Sequence, residues 1–179
     1  HSFARIIKAN DRRVHASPLA ISDGRFHMDL DALAASLTGD EKIMFLCSPH
    51  NPGGRVWSAE ELRDVALFCE THDIIMVSDE VHHDLIMPGH SHTILAKVAP
   101  EISHRLITLV ATSKTFNIAG IETGSVLISD PALRQRVARI RLAMNISNNR
   151  FGMLMAEAAY RGGDEWLDKL IPYLDANRR

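Results

Sequence analysis

Three short segments are apolar at nearly every position rather than at alternate ones: Lys42-Ile43-Met44-Phe45-Leu46-Cys47, Ile74-Ile75-Met76-Val77-Ser78 and Leu106-Ile107-Thr108-Leu109-Val110. A strand with that pattern needs cover on both faces, which a parallel sheet between helices provides. The intervening stretches carry helix signals. Asp29 caps a segment with Leu30, Leu33, Ala34 and Leu37 on one face, with Gly39 as its stop. Ser58 and Glu61 form a capping box ahead of Leu62, Val65, Ala66 and Cys69. A short helix is expected over 93–99, after a loop at 87–92 rich in Pro, Gly and His.

Gly124-Ser125-Val126-Leu127-Ile128 reads as a fourth strand. Only about a dozen residues separate it from the third, too few for an easy parallel crossover, so it is expected to pair antiparallel. Asp130-Pro131 then opens a long helix, with Leu133, Val137, Ile140 and Met144 as its buried face and Arg134, Arg136, Arg139 and Arg141 in solvent. Helices are expected at 150–160 and 164–175. The predicted fold class is α/β, a three-layer sandwich around a mostly parallel sheet.

Size and composition exclude several roles. The 179 residues suffice for one core, and 46% hydrophobic with 23% charged residues is ordinary for a globular domain. A net charge of −2 points to neither nucleic acid nor an anionic membrane surface as partner. No apolar run has bilayer-spanning length, and the N-terminus lacks a signal-peptide pattern. Cys47 and Cys69 sit in apolar runs and read as buried thiols, consistent with a cytoplasmic location. Residues 1–9 start as if in mid-helix and 173–179 stop inside a helical pattern, so a fragment is expected.

Polar signals follow the three parallel strands directly: Asn51, Asp79 and Lys114. In open α/β sheets ligands bind beyond the carboxyl ends of strands, and neighbouring strands would bring these side chains to one rim. Separately, each has a plainer reading: Asn51-Pro52 as a turn, Asp79-Glu80 as a cap, Lys114 as a surface lysine. Together they suit a pyridine aldehyde. An amine captures the aldehyde, a carboxylate keeps the pyridine nitrogen protonated, and Asn51 or His82 can serve the ring hydroxyl. Thr112 and Ser113 offer hydroxyls for a phosphate.

The stretches Asn51-Pro52-Gly53-Gly54, Ser78-Asp79-Glu80-Val81-His82-His83-Asp84 and Thr112-Ser113-Lys114-Thr115-Phe116-Asn117-Ile118-Ala119-Gly120 resemble, in order and spacing, the fold-type I pyridoxal 5′-phosphate (PLP) enzymes of the class I/II aminotransferase superfamily. The last two look most like the cystathionine β-lyase (C–S lyase) branch, the MalY/PatB-like group. The resemblance implies that Lys114 is the Schiff-base lysine and the acid/base at Cα. It implies that Asp79 pairs with the pyridine nitrogen, that Asn51 and His82 flank the ring hydroxyl, and that Ser113, with Thr112, holds the phosphate. His82 stands where aminotransferases usually carry tyrosine, which favours the lyase branch. Glu122 replaces a phosphate-binding arginine and is expected to turn away.

The resemblance covers residues 1–179 as a partial PLP-binding large domain. The family's N-terminal segment and C-terminal small domain are expected to be absent, leaving this chain alone inactive. It further implies α,β-elimination on cystathionine- or cysteine-type amino acids, and a homodimer. An aminotransferase is the first alternative, and a non-catalytic fragment or regulatory relative the second. Metal chemistry is not expected: His82-His83-Asp84 and His90-Ser91-His92 carry no HExxH or CxxC pattern, and His90 and His92 read as exposed loop residues. A nicotinamide site or P-loop would need glycine motifs that do not occur, and the buried cysteines do not suit a nucleophile.

Overall fold

A computed structural model describes residues 2–178; His1 and Arg179, the outermost positions of the two terminal helical patterns, lie outside the described residues. In chain order the regular elements are α1 (Ser2–Ala9), β1 (Ala20–Ser22), β2 (Arg25–His27), α2 (Leu30–Ser36), β3 (Ile43–Cys47), α3 (Ala59–Thr71), β4 (Ile75–Asp79), α4 (Leu95–Val98), β5 (Leu106–Val110), α5 (Thr112–Thr115), β6 (Ser125–Leu127), α6 (Pro131–Ala143), α7 (Arg150–Gly162) and α8 (Asp164–Asn177). The main sheet runs β3-β4-β5-β6. The first two pairings are parallel and β5–β6 is antiparallel, as the short connection requires.

Strand pleating divides the side chains between two faces. Met44, Leu46, Met76 and Leu106 enter one core with Leu62, Val65, Ala66 and Cys69 of α3, Leu95 of α4 and Leu33 of α2. On the other face Phe3 of α1 stacks on Phe45, ring centroids 4.9 Å apart. The capping box of α3 is complete: Ser58 Oγ accepts from Glu61 N–H, and the Glu61 side chain accepts from Ser58 N–H. Asp29 and Asp130 cap α2 and α6, accepting from Ala32 N–H and Leu133 N–H.

Three expectations are corrected, and one element was not expected at all. First, α2 ends at Ser36 with an extended Leu37, because Gly39 (φ 90°) belongs to a separate turn whose Thr38 and Gly39 N–H groups donate to Glu41. Second, the helix expected over 93–99 is only α4, and Pro100 diverts the chain into a 3₁₀ turn through Arg105. Third, α6 buries Leu133, but Ile140 is 62% and Met144 65% exposed. Its apolar stripe exists, yet burial fades along it, from buried Leu133 through half-buried Val137 to exposed Ile140 and Met144. The unexpected element is the hairpin of β1 and β2, turning on Asp23-Gly24, both at positive φ, a two-residue loop of the kind antiparallel strands favour.

Candidate active site

The parallel register aligns the strand ends. Cys47, the last residue of β3, pairs with Asp79, the last residue of β4, and Asp79 in turn pairs with Leu109 of β5. Two further backbone bonds fasten this edge, Ser48 N–H to Asp79 O (2.9 Å) and Glu80 N–H to Leu109 O (2.8 Å). The turns bearing Asn51, Asp79 and Lys114 therefore leave three adjacent strands at one rim of the sheet, as expected for a ligand site.

Asn51 is exposed, in the turn after β3; its N–H reaches Cys47 Sγ (3.4 Å), and the thiol donates to Pro49 O (3.2 Å). Trp57 Nε1–H binds Cys47 O at 2.9 Å, and Arg55 lies 4.7 Å over the Trp57 ring while pairing with Glu61. The turn is thereby anchored to the start of α3. Gly53 sits against His50, whose Nδ1 accepts Gly53 N–H (3.2 Å), and a Cβ at position 53 would collide with that ring.

Asp79 is half-buried and Oδ1 accepts from Val81 N–H (3.3 Å). His82 is half-buried, and its Nδ1 is buried with no hydrogen-bond partner. Burial pushes the His82 ring below its ordinary pKa; Asp79 opposes that shift and the Lys114 ammonium adds to it. Burial raises the Cys47 thiol, and Asp79 adds to the rise, placing Cys47 beside the same carboxyl.

Lys114 is exposed on the single helical turn α5, which begins two residues after β5. Thr115 Oγ1 donates to Asp84 Oδ2 (3.0 Å), and Trp166 Nε1–H of α8 donates to Thr115 O (3.2 Å). These bonds hold the turn from both sides. Ser113 is half-buried beside Lys114, whereas Thr112 is 2% exposed. Glu122 is exposed and adopts left-handed geometry (φ 48°) at the end of the following 3₁₀ turn.

One expectation near the site is wrong. His92 is not an exposed loop residue: its side chain is 8% exposed and Nε2 lies 2.8 Å from Glu80 Oε2. Sequence reasoning also passed over Glu80, the buried partner. The available signal was the Ser78-Asp79-Glu80 run itself, since pleating sends Asp79 to one face and Ser78 and Glu80 to the other.

The donor set suits PLP. Asp79 and the unpartnered His82 nitrogen offer complementary contacts to a pyridine ring and its hydroxyl, and Lys114 offers an amine for an aldehyde. Cys47 and Cys69 are both free thiols, and burial raises Cys69 to about 12. Among the described residues no helix is long and apolar enough to cross a membrane.

Comparison with known proteins gives the same picture. The model of the family described as aminotransferase class I and II matches residues 1–179. Cystathionine β-lyase PatB of Bacillus subtilis strain 168 is 37% identical over 182 residues, covering 98% of this chain and 46% of its own length. The crystal structure of cystalysin from Treponema denticola, which contains PLP, matches with a TM-score of 0.94 and 35% identity over 99% of this chain and 45% of that one. The PLP-bound C–S lyase from Staphylococcus hominis matches with a TM-score of 0.90 and 32% identity, covering 98% of this chain and 44% of its own. The chain spans about half the length of the curated relatives it matches.

Proposed function

Because the chain belongs to the class I and II aminotransferase family, we propose that it forms the PLP-binding core of a carbon–sulfur β-lyase acting on cystathionine- or cysteine-type amino acids. The observation that carries this reading is that Asn51, Asp79 and Lys114 stand at or just past the ends of three adjacent strands, with the buried, unpartnered His82 Nδ1 three residues beyond Asp79.

Bound there, PLP would supply an electron-withdrawing ring that makes a substrate Cα–H acidic. Asp79 would face the pyridine nitrogen and favour its protonated form. Asn51 and His82 would serve the ring hydroxyl, and Ser113 the phosphate, with buried Thr112 supporting the turn beside it. The Lys114 amine would hold the aldehyde. After the substrate amine displaces it, the same Nζ would take the proton from Cα. A thiolate at Cβ would then leave and take up a proton, and water would hydrolyse the remaining three-carbon fragment to pyruvate and ammonia. The substrate, and a homodimeric assembly located in the cytoplasm, belong to this proposal. The C–S lyase names of the relatives above support the lyase branch over transamination.

The test is a pair of assays on the full-length protein supplied with PLP. Cystathionine should yield pyruvate without added 2-oxo acid, and Lys114→Ala should abolish it. Amino transfer to a 2-oxo acid with no pyruvate released from cystathionine would place the chain on the aminotransferase branch instead.

A further inference from the structure

Asp79 and Glu80 are neighbours in sequence but belong to opposite faces of the sheet. Glu80 N–H donates to Leu109 O at 2.8 Å, so the ladder continues one residue past β4 and the pleat does too. The Glu80 side chain is therefore carried to the face of Met76 and Ser78, where it is 2% exposed. A carboxyl group at that depth needs partners, and it has three donors: Ser78 Oγ at 3.0 Å, His92 Nε2 at 2.8 Å and Leu95 N–H at 3.4 Å. Its own main-chain oxygen accepts from His83 N–H (3.0 Å) and His83 Nδ1 (2.7 Å). Glu80 thus fastens the start of loop 81–94 through its backbone and the end of that loop through its side chain.

That loop carries the groups the candidate site depends on. Val81 N–H is the donor to Asp79 Oδ1, and His82 follows it. His92 meets Glu80 from the far end of the loop, with its remaining nitrogen, Nδ1, buried and without a partner. The His83 and His92 rings stand 6.2 Å apart, closing the loop over the carboxyl.

We propose that the buried Glu80–His92 pair is a positioning device for the cofactor site, setting from behind the sheet the orientation of the turn that presents Asp79 and His82. This inference rests on the cofactor reading above for its functional meaning. Neither residue touches the cofactor; both act through the turn. A merely structural pair would lower stability and leave the geometry at position 82 alone. A positioning pair has a signature at His82 itself, whose buried Nδ1 lies in the turn that Glu80 fastens.

The experiment compares the wild-type protein with His92→Phe, which removes the donor, and His92→Gln, which places an amide donor near the position of Nε2. Two readouts are taken below the melting temperature of every variant: the NMR titration of the His82 ring without cofactor, and PLP affinity from absorbance. His92→Phe is expected to move the His82 pKa back toward its ordinary 6.5. PLP binding should weaken about tenfold, the loss of roughly one charged hydrogen bond's worth of orientation. His92→Gln should restore both. A folded His92→Phe protein with unchanged His82 titration, losing only thermal stability, would overturn the inference. If His92→Phe does not fold, Ser78→Ala removes another donor to the same carboxyl; a smaller shift at His82 in the same direction supports the proposal and no shift overturns it. Wild-type protein that takes up no PLP defeats the cofactor reading, while the His82 titration still decides the positioning role.

Discussion

His82 concentrates the physical chemistry of the site in one ring. Burial disfavours its cationic form, as it does for His50 in the neighbouring turn. Both folded-state pKa values lie below the ordinary 6.5, so between 6.5 and the folded values the unfolded chain binds more protons. Their contribution to stability is complete above 6.5 and is lost as the pH falls through the folded values. Denaturant titrations should therefore show stability falling as the pH drops below 6.5, and a His50→Gln/His82→Gln double variant should flatten that slope. Asp79 is the second residue to probe. Asp79→Asn keeps the shape but removes the charge opposite a pyridinium, and PLP affinity should fall roughly 10- to 100-fold, as for loss of a charged hydrogen bond. Equal affinity in the two proteins would show that the carboxyl does not meet the ring nitrogen. Asp79 was legible in the sequence because it directly follows an apolar run, and His82 through the motif Ser78-Asp79-Glu80-Val81-His82 that carries the family resemblance. His92 was not: it lies in a Pro/Gly/His-rich loop with no periodicity, and its partner Glu80 is twelve residues away.

Elements with two-sided local signals were read from sequence with little error. The α3 helix declares itself through Ser58 and Glu61, and both halves of the box form. Ser58→Ala should cost about 1 kcal/mol, visible as a lower midpoint in urea with an unchanged slope. The antiparallel turn into β6 followed from the length of its connection. Errors arose where tertiary surroundings, not local pattern, decide. The apolar stripe of α6 predicted burial along its whole length, but a stripe shows only what a helix could bury, and Ile140 and Met144 meet no cover among the described residues. The hairpin β1–β2 was missed for another reason: its strands are three residues each, too short for an alternation to emerge, and its one strong signal is Asp23-Gly24. Glycine also disciplines the helices behind Lys114. A Cβ on Gly163 would strike the Phe116 ring and Ala159 O, so Gly163→Ala should loosen α8 from the α5 turn and lower the melting temperature.

Among the described residues, the molecule is built on a mixed sheet whose three parallel strands end at one rim and whose strand β6 lies at an edge. In the order β3-β4-β5-β6, strand β6 is an edge, and its Val126 and Leu127 are exposed. An exposed apolar edge is a template for pairing. The protein on its own should self-associate in a concentration-dependent way in sedimentation velocity, and Val126→Lys should shift it toward the monomer; identical behaviour of the two proteins would place the contact elsewhere. The strand directions, by contrast, were available from sequence: wholly apolar strands spaced by helices pair parallel, and the short connection into β6 turns it antiparallel.

The amine proposed to capture the cofactor aldehyde is that of Lys114. Borohydride reduction of the protein with PLP, followed by peptide mass mapping, tests it most directly. The expected result is a pyridoxyl adduct on Lys114 that disappears in Lys114→Ala. Modification spread evenly over Lys8, Lys42, Lys97 and Lys169, or undiminished in the variant, would contradict it.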